Sequence, residues 1–119
     1  METKSIAQKL AEYCRKGEFE IAQEELYADD VTSIEPEAMG GFEKETKGKK
    51  EVKEKINKWM STVEELHSNE VSEPLISGNS FAVVMDMDIT MKGKGRTKMS
   101  ELCTYTVKDG KITSEQFFM

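Results

Sequence analysis

From Phe81 to Lys92 the residues alternate without a break. Phe81, Val83, Met85, Met87, Ile89 and Met91 fall on one side of an extended chain, and Ala82, Val84, Asp86, Asp88, Thr90 and Lys92 fall on the other. A run of this length with a period of two predicts a long strand with one buried face and one that turns polar. Lys92-Gly93-Lys94-Gly95 supplies a glycine-rich turn, and Arg96 to Lys108 returns as the partner strand. Lys108-Asp109-Gly110-Lys111 is a second hairpin signal, leading into a strand from Lys111 to Met119. With Val71 to Ser77 in front, the back half of the chain reads as a meander of long antiparallel strands.

The front half has the helical period instead. Ile6, Ala7, Leu10, Ala11 and Cys14 predict an amphipathic helix over residues 3 to 16, stopped by Gly17. Phe19, Ala22 and Leu26 give a second helix from about 18 to 28. Val31 to Glu35 reads as a short strand ending at Pro36, and Glu37 to Lys47, with two glycines and no period, as a mobile loop. Val52, Ile56, Trp59, Met60 and Val63 mark a third helix that starts near Gly48, and strand periodicity begins at His67.

The chain of 119 residues has the length of one domain, with no repeat or linker to divide residues 1 to 119. Leu, Ile, Val and Phe make up about a fifth of it, at the border below which chains stay unfolded. Eight Met and three Tyr extend the supply for a core. No apolar run approaches the ~20 residues that cross a bilayer, and METKSIAQ lacks the apolar block of a secretory signal. A soluble, cytoplasmic protein is the expectation. Cys14 and Cys103 are too few for a disulfide framework and read as reduced thiols. The net charge of −6 argues against nucleic acid or an anionic membrane as the main partner.

The order of these elements, with Leu26-Tyr27-Ala28-Asp29-Asp30, then Glu35-Pro36, then Asp109-Gly110-Lys111-Ile112 before the last strand, resembles the nuclear-transport-factor-2-like superfamily. That superfamily includes SnoaL-like polyketide cyclases and ketosteroid isomerases, and the resemblance covers nearly the whole chain. It implies an α+β fold of the cystatin-like roll type: three helices packed on a strongly curved, mainly antiparallel sheet that wraps into a cone-shaped barrel. It further implies an apolar pocket at the open end for a small apolar molecule, and a homodimer formed through the outer sheet face.

Carried over residue by residue, the resemblance makes Glu35 the general base that shuttles a proton at carbon and Tyr27 a pocket hydroxyl. A carboxylate suits that work when apolar walls raise its pKa toward neutrality. The two donors that stabilise a developing enolate in the isomerases are not matched: Leu10 or Ala11 stands at the helix position and Cys103 at the strand position. Losing one such donor commonly costs about 10²- to 10³-fold in rate, so steroid isomerisation is not expected. Isomerisation, cyclisation or dehydration of another small molecule is one reading, and a noncatalytic carrier or association domain is the rival.

Strand parity makes a separate statement about the pocket. If Cys103 points inward, so do Met99, Glu101 and Tyr105, and the hairpin puts Glu115, Phe117 and Met119 on the same side. Ligand contacts are then expected from Tyr27, Met85, Met87, Glu101, Cys103, Tyr105, Glu115 and Phe117. Three carboxylates, Glu35, Glu101 and Glu115, cannot all ionise cheaply beside one apolar cavity, so at least one should titrate high. The alternative leaves Glu101 and Glu115 at the mouth in water, or paired with Arg96 or Lys98.

The remaining candidates read as structural. His67 has no Cys or His near it at metal spacing, so neither a metal site nor a cofactor is expected. Asp86 and Asp88 lie on the face opposite the methionines, which is the solvated or dimer-facing one. Cys103 has no identifiable partner base. The interleaved Lys and Glu from Glu43 to Lys58 form the wet face of the third helix and its loop, with pairs such as Glu51 to Lys55.

Overall fold

The computed structural model describes residues 2–36 and 44–119. Helix α1 spans Thr3–Arg15 and buries Ile6, Ala7, Leu10, Ala11 and Cys14, the apolar stripe that defined it. It ends because Gly17, at φ +73°, turns the chain while the Gly17 N–H donates to the Cys14 carbonyl at 3.0 Å. Helix α2 spans Phe19–Leu26 and strand β1 spans Tyr27–Ile34. The second helix is therefore shorter than the expected 18 to 28. Tyr27 is already extended, with φ −89° and ψ 142°, and pairs with Ile112.

Strand β2, Glu45–Lys47, pairs antiparallel with β1 and occupies the end of the segment read as a loop. Residues 37–43 of that segment lie outside the described residues. Helix α3 spans Lys49–Met60. Its start is anchored by the Gly48 N–H, which donates to the Val31 carbonyl at 2.8 Å, and Val52 is fully buried. Val63, expected on this helix, instead opens strand β3, Val63–Val71. Strand periodicity thus starts four residues before His67, where the pattern is blurred by two exposed glutamates, Glu64 and Glu65. The expected strand from Val71 to Ser77 is broken: β3 ends at Val71, Glu73-Pro74 intervenes, and β4 covers Leu75–Ser77.

Strands β5 (Ser80–Met91), β6 (Gly95–Lys108) and β7 (Lys111–Phe118) form the predicted meander. The β5–β6 ladder runs from Ser80 opposite Thr106 to Met91 opposite Gly95. The sheet order is β2-β1-β7-β6-β5-β3, with β4 also paired to β5, and the β1–β7 pair is parallel. Register shifts between Tyr27 and Thr32, between Leu66 and Ser68, and between Thr106 and Val107 mark irregularities of the kind that bend a sheet. The expected three helices on a curved, mainly antiparallel sheet are present. The sheet stays open, however, with β2 and β3 at its edges, and is not a closed barrel.

Parity holds along β5. Phe81, Val83, Met85, Met87 and Ile89 are buried against the helices. On the outer face Arg96 makes a bidentate bond to Asp88, at 2.9 and 2.8 Å, and His67 sits between Glu65 and Thr90, 2.7 Å from each. Val84, Leu102 and Phe118 are exposed. No helix among the described residues is long and apolar enough to cross a membrane.

Candidate functional site

Between the helices and the concave sheet face lies a cavity of about 470 Å³. Phe19 and Ala22 of α2 and Ile56 and Trp59 of α3 form its helical side. Met85, Met87 and Met91 of β5 face Met99 of β6 across the strand side, so thioethers supply much of the apolar wall. Of the residues expected to line it, Tyr27, Glu35, Met85, Met87, Glu101, Tyr105, Glu115 and Phe117 all do. Cys103 does not reach the cavity. It is fully buried, its short side chain sits opposite Val83 and Phe117, and the longer Glu101 and Tyr105 on either side extend past it.

A chain of hydrogen bonds runs along one wall. Lys55 of α3 donates to Glu35 Oε1 at 3.0 Å and to Ser33 Oγ at 2.6 Å. Ser33 donates to Glu115 Oε2 at 2.6 Å, and the Tyr27 hydroxyl donates to Glu115 Oε1. The Lys55 ammonium also lies 5.8 Å from the centre of the Phe117 ring. Ser33 and Glu115 are 0% and 2% exposed, so the two donors on Glu115 are what make a carboxyl tolerable there. Neither Glu101 nor Glu115 pairs with Arg96 or Lys98. Arg96 is engaged by Asp88, and both glutamates line the cavity.

Burial pushes Glu101 up to about 7, with the nearby Glu35 carboxylate as the next cause; Glu115 adds to the rise, while the Cys103 thiol and Lys55 oppose it. Glu115 is also raised by burial, against the pull of the Ser33 and Tyr27 hydroxyls. Burial holds the Tyr27 and Tyr105 phenols well above their ordinary range, so both are neutral donors. The Cys14 thiol is pushed up to about 12 by burial, and Cys103 is raised by burial and by Glu101, which leaves both thiols unreactive. Among the described residues no group of three or more His, Cys, Asp or Glu is arranged to hold a metal ion.

Three site residues were not singled out from the sequence. Lys55 reads from the sequence as a surface partner of Glu51, yet it falls three residues after Val52 and four before Trp59, on the helix face that packs inward. That spacing was the available signal, and the dense Lys/Glu run around it masked the signal. Ser33 carried none beyond strand parity with Val31 and Glu35. Gln23 follows Phe19 by four residues on the buried face of α2. It is 6% exposed, lines the cavity, and has an amide oxygen without a hydrogen-bond partner among the described residues. An unmet buried acceptor of this kind costs about 1–3 kcal/mol.

A SnoaL-like domain family model matches residues 1–119. The chain belongs to the SnoaL-like family. Among solved structures, this SnoaL-like protein is similar to a Mesorhizobium loti protein provisionally named a SnoaL-like polyketide cyclase, with 36% identity, full coverage of both chains (100% each) and a TM-score of 0.89. It shares its fold with a Xanthomonas campestris protein of unknown function and cystatin-like fold, at 19% identity and TM-score 0.83, covering 99% of this chain and 90% of that one. It also shares the fold of a Catenulispora acidiphila protein with a ketosteroid isomerase-like fold, solved in complex with trimethylamine, at 15% identity and TM-score 0.75, covering 96% and 84%. No curated protein matches the sequence. Members of the SnoaL-like and nuclear-transport-factor-2-like group often bind small ligands or act as cyclases or isomerases. In this SnoaL-like protein Leu10, Ala11 and Cys103 are all buried.

Proposed function

We propose that this protein binds a small, largely apolar organic molecule in the cavity and exchanges a proton with it through a carboxylate, as in isomerisation, cyclisation or dehydration through a carbanion. The observation that carries the reading is Glu101, a carboxyl on the wall of an apolar cavity held at about 7. A group poised there both accepts and returns a proton at neutral pH. Glu35, the base that the resemblance implies, sits 3.0 Å from the Lys55 ammonium. In this proposal Glu35 acts with Glu101. Its charge keeps the Glu101 proton exchangeable, and it holds Lys55 as the positive centre facing negative charge that develops on the ligand. Tyr27 and Glu115 support that arrangement from behind, while Tyr105, Phe117, Met85 and Met87 contact the ligand's apolar body.

The test begins with a thermal-shift screen of small organic molecules. Hits are then followed by NMR for exchange of carbon-bound hydrogen in D2O. Glu101→Gln is expected to abolish exchange while binding persists, and Glu35→Gln to reduce it. Exchange at the wild-type rate in Glu101→Gln removes the proposal. Binding with no exchange in the wild type supports a carrier, a reading favoured by the commitment of both the Tyr27 and Ser33 hydroxyls to Glu115. We also take Val84, Leu102 and Phe118 on the outer face as the contact of a homodimer, which light scattering after gel filtration checks.

A further inference from the structure

We infer that the ligand taken by this cavity carries a protonated amine on its apolar body, with the ammonium seated at Glu101 and within reach of the Gln23 amide. The inference rests on the cavity being a ligand site, and not on its being catalytic. Inside the cavity Glu35, Glu101 and Glu115 face the part-buried Lys55 ammonium, which is already bonded to Glu35 and Ser33. Glu115 has two hydroxyl donors. Glu101 has no ion pair among the described residues, so it is the carboxyl left without a cation. Independently, Gln23 lines the same cavity, is 6% exposed and keeps an amide oxygen that has no hydrogen-bond partner among the described residues. A carboxyl without an ion pair and an amide oxygen without a donor, in one apolar chamber, call for a ligand that brings N–H donors and positive charge.

The walls suit such a group. Trp59, Phe117 and Tyr105 line the cavity, and aromatic rings attract organic cations. Lys92 and Lys94 also border the cavity, from the β5–β6 turn, but both are exposed, where water and salt screen them.

A pH dependence follows. Glu101 is faced by Glu35 from just beyond β1, Lys55 from α3, Cys103 from its own strand, Glu115 from β7 and Cys14 from α1, and Tyr105 of the same strand shares its cavity wall. An entering ammonium favours the ionised carboxylate, so amine binding below neutrality expels a proton from Glu101, and affinity rises with pH until that group is ionised.

Isothermal titration of three probes with one skeleton tests this: cyclohexylmethylamine, cyclohexylmethanol and cyclohexanecarboxylate. The amine is expected to bind at least tenfold more tightly than the alcohol at pH 7.5, and roughly eightfold more weakly at pH 6.0 than at pH 7.5, with buffer-dependent heats that report proton release. Glu101→Gln should erase the preference for the amine while still binding the alcohol, which also shows that the variant is folded. Gln23→Leu should weaken the amine alone. Equal or tighter binding of the alcohol or carboxylate overturns the inference, as does an amine preference that survives in Glu101→Gln. If none of the three binds at millimolar concentration this inference falls by itself, because the proposed function stands or falls on the wider screen.

Discussion

Tyr27 and Glu115 meet across the parallel pair β1–β7, where the Tyr27 hydroxyl donates to Glu115 Oε1 and Ser33 donates to the other carboxylate oxygen at 2.6 Å. Removing either donor leaves a buried carboxyl half-satisfied. Tyr27→Phe and Ser33→Ala are each expected to lower stability by about 1–3 kcal/mol in urea unfolding. Because they share one acceptor, the double variant should differ from the sum of the two. Strict additivity would show that the hydroxyls do not act on a common group.

Glu101 gives the protein a stability that falls as pH rises. Its folded pKa, about 7, lies above the ordinary 4.5, so between those values the folded state holds a proton that the unfolded chain has released. Stability contributed by the protonated form is complete below pH 4.5 and is lost through pH 7, an effect on the order of 3 kcal/mol. Glu115 is shifted in the same direction. Glu101→Gln should therefore be more stable than wild type at pH 8 and unchanged at pH 4.5. A wild-type melting temperature that does not fall between these pH values would refute the account.

Lys55 neutralises Glu35 and orients Ser33, with 12% of its side chain exposed. Lys55→Met keeps the packing on Phe117 and removes the charge. About 2 kcal/mol of stability should be lost at pH 8, below the 3–5 kcal/mol of a fully buried pair because Glu35 keeps 24% exposure. Adding Glu35→Gln should restore part of the loss. A double variant no more stable than Lys55→Met alone would mean that the pair is not coupled.

Gly17 is required by both backbone and space. Its φ is +73°, and a Cβ there would stand 2.9 Å from Leu66 Cδ2. Gly17→Ala is expected to cost about 1–2 kcal/mol through left-handed strain and displacement of Leu66. Chemical denaturation measures it, and a change under half a kcal/mol would contradict the geometry.

Much of the architecture was legible because it is written in periods. The twelve residues of β5 bury alternate side chains as the pattern requires, and α1 buries its whole apolar stripe. Errors fell where a residue type signals one element and serves another. Tyr27 continues a helical spacing but pairs as a strand, and Val63 continues the third helix's pattern but pairs with Met91. In the site, parity placed Glu101, Tyr105, Glu115 and Phe117 on the cavity wall. It could not show that Cys103, on the same face, is too short to reach it. The inward turn of Lys55 depends on Ser33 and Glu35, distant in sequence and adjacent only after folding.

The parallel seam has a kinetic consequence. Glu115 is separated from Tyr27 by 88 positions and from Ser33 by 82. On the ribosome, nascent β1 therefore waits through separations of 82 and 88 positions before its inward hydroxyls find their acceptor. Contacts so remote slow the search for the native state, so the pocket's polar wall should be among the last parts to assemble.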